Sequence, residues 1–86
     1  DVSAFGALDA LRHALGLRVP EEVGVVGFDD IDQAAWRSYD LTTIKIDVEE
    51  RVAALVRLIL QRLQHRAAPP LVETIRTKLV VRSTVG

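Results

Sequence analysis

This 86-residue sequence predicts an α/β fold: half of a doubly wound domain, with a mostly parallel sheet and flanking helices. Three observations carry that prediction. The stretch from Gly24 to Asp30 sets the apolar pair Val25 and Val26 between two glycines, which reads as a short buried strand of a parallel sheet ending in carboxylates. The stretch from Leu41 to Ile46 is rich in β-branched residues and reads as a second extended segment. Helical stripes precede the first strand and follow the second, so the order helix, strand, short helix, strand, long helix, strands alternates as α/β layers require.

The first helix is carried by Val2, Phe5, Leu8, Leu11 and Leu15, which recur at three- and four-residue spacing. Asp1 or Ser3 is placed to cap it, and Gly16 to end it in a left-handed turn. Pro20 then bars further helix in the connection. After the first strand, Asp30 followed by Gln33 matches a capping box opening a short helix through Ala34, Ala35 and Trp36. Asp47 followed by Glu50 repeats that pattern. From there Val48, Val52, Leu55, Val56, Ile59, Leu60 and Leu63 form one apolar stripe, expected to be core because such a face needs cover. The two prolines at 69 and 70 stop this helix, and residues 71–82 suggest two short strands, of which 78–82 is the better.

Composition narrows the function classes. With 49% hydrophobic and 27% charged residues the chain reads as an ordinary soluble globular domain, and no apolar run approaches the ~18 residues a membrane-spanning helix needs. A net charge of −1 leaves no electrostatic footprint for nucleic acid, and zero cysteines leave no disulfide framework or thiolate metal site. The acidic cluster Asp29, Asp30 and Asp32 lacks the glycine and distal glutamate of a calcium loop. Gly24 and Gly27 flank a strand instead of opening a helix, so no phosphate or dinucleotide loop is present. His13 and His65 lie on helices without a nucleophile nearby and read as surface residues. No metal, cofactor or catalytic group is therefore expected.

Two positions keep a functional reading. Asp29 ends an apolar strand, where ligands of open α/β sheets bind, and its carboxylate either accepts from a ligand or caps locally as Asp30 does. Trp36 either packs in a loop or subunit contact, or offers a platform for a ring.

The segments beginning at Asp1, the stretch Gly16 to Pro20, the stretch Val25 to Ile31, Leu41 to Ile44 and Leu79 to Arg82 occur in the order found in bacterial repressors of the lactose-repressor type. The sequence resembles the C-terminal part of their two-lobed, periplasmic-binding-protein-like effector domain over nearly its whole length. The resemblance implies a second-lobe fragment that binds a small-molecule effector, a sugar by default, in a cytoplasmic homodimer without catalysis, cofactor or membrane contact. Operator DNA would be read only through an N-terminal headpiece outside these residues. By the same resemblance Asp29 is the effector-contacting aspartate, Asp1 a helix cap near the cleft, and Ile46 and Val48 pocket-lining positions. Phe5, Trp36 and Arg37 match positions of the dimer contact, which favours the packing reading of Trp36. Ile46 and Asp47 stand where the family often has Gln-Pro, and Tyr39 and Asp40 where it often has a proline pair. The alternative is a lobe of a periplasmic sugar receptor feeding a transporter, distinguished by a signal peptide upstream instead of a helix-turn-helix.

Overall fold

The computed structural model describes residues 1–86, which divide into two compact units, 1–45 with 78–86 and 46–77. The first unit opens with helix α1, Val2–Asp9, which widens into a π-helical turn over Ala10–Ala14 and ends at Gly16 with φ +64°, as the glycine's position predicts. Strand β1 is Val26–Asp29, a 3-10 turn occupies Asp32–Ala35, and strand β2 is Thr42–Ile46. Strand β3, Thr77–Val80, completes a sheet of order β1-β2-β3, with β1 and β2 parallel and Asp29 in register with Lys45.

The core of this unit is Phe5, Leu8, Ala34 and Leu41, with Val25, Ile31 and Tyr39 packed around it. Phe5 and Leu8 come from the inner stripe of α1 that the periodicity marks. Phe5 is 8% exposed and stacks on Tyr39 with ring centroids 4.2 Å apart. Most of the ring is thus committed to the chain's own core, which leaves little of it for the dimer contact expected from the resemblance. Strand β1 also differs from the expected buried strand. Gly27 is buried, whereas Val26 and Phe28 are about half exposed, because β1 is one of the two edge strands and its residues alternate between faces, Val26 and Phe28 lying on the face opposite Gly27.

The chain after β3 is fastened through Thr84, which is fully buried. Its hydroxyl donates to the Val25 carbonyl at 2.7 Å and accepts from the Thr42 amide at 2.9 Å, while its own carbonyl accepts from the Val25 amide. Thr84→Val keeps the shape but leaves a buried donor and acceptor unpaired, an expected loss of about 2 kcal/mol. Chemical denaturation of the two proteins checks this.

The second unit is dominated by helix α2, Val48–Gln64. Asp47 caps it as the spacing predicts, its side chain accepting from the Glu50 amide at 3.1 Å. Arg57 donates to both carboxylate oxygens of Glu73, and that hydrogen bonding holds the Glu73 carboxyl below the usual carboxylate range. The contribution of the pair is present at neutral pH and is lost as acid protonates Glu73; both groups face solvent, which keeps it small. Two expectations fail in this unit. The apolar stripe of α2 is not core here: Val52, Leu55, Ile59 and Leu63 are each more than half exposed. A helix face is covered only where a second layer exists, and apart from the strand-end residues Ile46 and Thr77 the rest of this unit forms neither helix nor strand. Residues 71–76 do not supply a first strand, and only β3 forms.

Candidate functional site

The sequence places carboxylates at the end of β1, and the structure gives each of them a different task. Asp29 is the last residue of β1, exposed, with φ +125°. Its side chain takes part in no hydrogen bond or ion pair with the protein. Asp30 follows at φ +56°. Two successive non-glycine residues at positive φ are uncommon, and each such residue costs on the order of 1–3 kcal/mol unless neighbouring contacts hold it.

Those contacts are present on both sides of Asp29. The carboxylate of Asp30 is 2.8 Å from the Arg82 guanidinium, with the two side chains 11% and 17% exposed, and Arg82 also donates to the Leu41 carbonyl at 2.8 Å. This corrects the expected capping role of Asp30, since the 3-10 turn begins after Ile31 with no side-chain cap. A carboxylate this close to a guanidinium gains more from the charged partner than from a single neutral amide. On the other side, the Ile31 amide donates to Asp1 Oδ2 at 2.8 Å, and the Thr43 hydroxyl donates to Asp1 Oδ1 at 2.6 Å. The Asp1 backbone nitrogen donates to the Phe28 carbonyl at 3.0 Å. Asp1 does sit at the cap position of α1, yet its side chain makes no cap bond, because both of its oxygens are engaged by β2 and by the turn.

Gly27 makes this arrangement possible. A Cβ at that position would run into Asp1 Oδ1 and lie 2.7 Å from Leu41 Cδ2, so a larger residue would have to push the Asp1 carboxylate or the buried Leu41 side chain aside. Gly27→Ala is expected to destabilise the unit by about 1–3 kcal/mol. Thermal unfolding checks the stability, and amide exchange at Ile31 shows whether the carboxylate has been displaced.

Ile46 closes β2, partly buried, and Val48 opens α2, 60% exposed; both belong to the second unit. Trp36, 56% exposed, and Arg37, exposed, follow the 3-10 turn in the first unit, on the same chain segment as Tyr39. Asp29, Asp30 and Asp32 form no cluster that could hold a metal ion. Sequence reading passed over Arg82 and Thr43 as functional candidates. The available signal was Arg82 itself, a cation closing an apolar strand, which requires a carboxylate partner once desolvated.

A family profile described as a periplasmic binding protein-like domain matches residues 1–85. The chain belongs to this family. Within it, this periplasmic-binding-protein-like chain is similar to regulators of the LacI type, as the segment order implies. It is 43% identical over 86 residues to the HTH-type transcriptional repressor MelR of Bacillus subtilis strain 168, which covers 100% of this chain and 24% of the relative. Among solved structures, a dimeric Lac repressor is 33% identical with a TM-score of 0.77, covering 99% of this chain and 31% of that one. A transcriptional regulator CelR in complex with cellobiose is also 33% identical, with a TM-score of 0.76, covering 94% of this chain and 24% of that one. The periplasmic-binding-protein-like segment thus spans about a quarter of the length of the curated relatives it matches.

Proposed function

We propose that this chain is part of the effector-binding domain of a LacI-type transcriptional regulator, and that Asp29 accepts hydrogen bonds from the hydroxyls of a sugar. One observation carries the reading: a carboxylate at the carboxyl end of a parallel strand, free of any protein partner, on a backbone held in a costly conformation. A carboxylate offers about four acceptor sites and can bridge adjacent hydroxyls, which suits a polyhydroxylated ligand. The CelR neighbour holds cellobiose, which supports a sugar as the ligand class. Ile46 and Val48 enter as apolar lining on the strength of the family resemblance. Asp1 enters through its hold on the turn beside Asp29 instead of through direct contact.

In this reading bound effector favours one arrangement of a cytoplasmic, non-catalytic regulator over another, and the difference in affinity for the two arrangements is what reaches operator DNA. Titration calorimetry of the full-length protein against common mono- and disaccharides, cellobiose included, is expected to show saturable binding of at least one and a matching change in operator gel shift. No binding across the panel would overturn the sugar reading.

Dimerisation belongs to the same proposal, with Trp36 and Arg37 as the exposed pair that a partner would cover and Phe5 supporting that contact from the core beneath it. Trp36→Glu is expected to convert the full-length protein to monomers in analytical ultracentrifugation that keep the wild-type circular dichroism spectrum, since the ring is exposed in the single chain and is not part of its core, while thermal unfolding shifts down by the stabilisation that dimerisation supplied. A dimer of unaltered strength in that variant would remove Trp36 from the interface.

A further inference from the structure

We infer that Asp1 and Arg82 are positioning residues that together hold the Asp29 carboxylate in its ligand-ready direction; the inference rests on the reading of Asp29 given above. Asp29 itself has no side-chain tether, so the direction of its carboxylate is set by its backbone. That backbone lies at φ +125°, a conformation an aspartate leaves when released. It cannot leave here because the residues after it are fixed to separate parts of the unit. Asp30 is fixed by the Arg82 guanidinium, which is itself anchored on the Leu41 carbonyl, and whose backbone amide donates to the Thr42 hydroxyl at 2.8 Å. Ile31 is fixed by the Asp1 carboxylate, which the Thr43 hydroxyl steadies. The two anchors hold different residues, Arg82 the Asp30 carboxylate and Asp1 the Ile31 amide, so neither replaces the other.

Their loss affects binding through population. If releasing one anchor leaves the ligand-ready conformer populated about one-tenth of the time, apparent affinity falls about ten-fold with no ligand contact removed. The conservative variants are Asp1→Asn, which turns an amide group toward either the Ile31 amide or the Thr43 hydroxyl, and Arg82→Lys, which keeps the charge but cannot serve Asp30 and Leu41 together. Thr84→Val is the control, because it loosens the same unit without touching the turn.

The test is hydrogen exchange by mass spectrometry on the full-length proteins without ligand, following peptides across residues 28–35 and across β2. Asp1→Asn and Arg82→Lys are expected to raise exchange in 28–35 by about ten-fold relative to β2, whereas Thr84→Val, which removes the acceptor of the Thr42 amide, raises exchange in β2 at least as much as in 28–35. Uniform exchange increases in all three variants would overturn the positioning role whatever the ligand proves to be. Calorimetric titration with the sugar that binds wild type then separates the two readings. Weakened binding in Asp29→Asn but wild-type binding in both anchor variants refutes the inference alone, while wild-type binding in Asp29→Asn refutes the site assignment on which it rests.

Discussion

Asp29→Asn is expected to weaken effector binding by about 2–4 kcal/mol, roughly thirty-fold to a thousand-fold, with thermal unfolding unchanged or slightly improved. The substitution keeps the shape and removes one charged acceptor, presenting a donor where the ligand hydroxyls also need to donate. Its effect on folding is small because the wild-type carboxylate is exposed and has no partner in the protein to leave stranded. Asparagine also tolerates positive φ as readily as aspartate, so the backbone at φ +125° carries no added strain. Calorimetric titration of both full-length proteins measures the affinity, and a variant that is folded and binds like wild type would remove Asp29 from the site.

The largest stability effect is expected at Arg82. Arg82→Ala leaves the Asp30 carboxylate without its cation in a setting where that side chain is only 11% exposed, and leaves the Leu41 carbonyl short of one donor. Breaking a buried pair from one side typically costs about 3–5 kcal/mol, and the residual exposure here places the expected loss near 3 kcal/mol. Asp30→Asn is the informative companion. Were Asp30 a helix cap, asparagine would serve nearly as well; as the partner of Arg82 it forfeits the charge, and an expected loss of about 2 kcal/mol separates the two roles. Denaturant midpoints at constant slope for wild type and the two variants supply the comparison. Equal stability of Asp30→Asn and wild type would mean that the ion pair contributes nothing to folding.

The sequence by itself determined the elements whose causes are local. Periodicity in α1, β-branching in β2, the glycine that ends the first helix and the Asp47 cap of α2 each depend on residues within a turn or two of one another, and each forms as its spacing requires. The position of Asp29 at the end of a strand was legible in the same way. Only the tertiary structure decided which carboxylate does what. Asp30 and Arg82 are 52 positions apart, Asp1 and Thr43 42 apart, and no local pattern announces that such pairs meet. For Asp30 the local alternative, a capping box with Gln33, would leave the Arg82 guanidinium without its carboxylate, so a pattern match was outcompeted by an ion pair that sequence spacing does not encode. The periodicity placed Phe5 on the inner face of α1, but its stacking partner Tyr39, 34 residues away, was visible only in the tertiary structure. The stripe of α2 marks the converse limit: hydrophobic spacing specifies the face that needs cover, but whether cover is supplied depends on a second layer, which is a property of the folded chain and not of the helix.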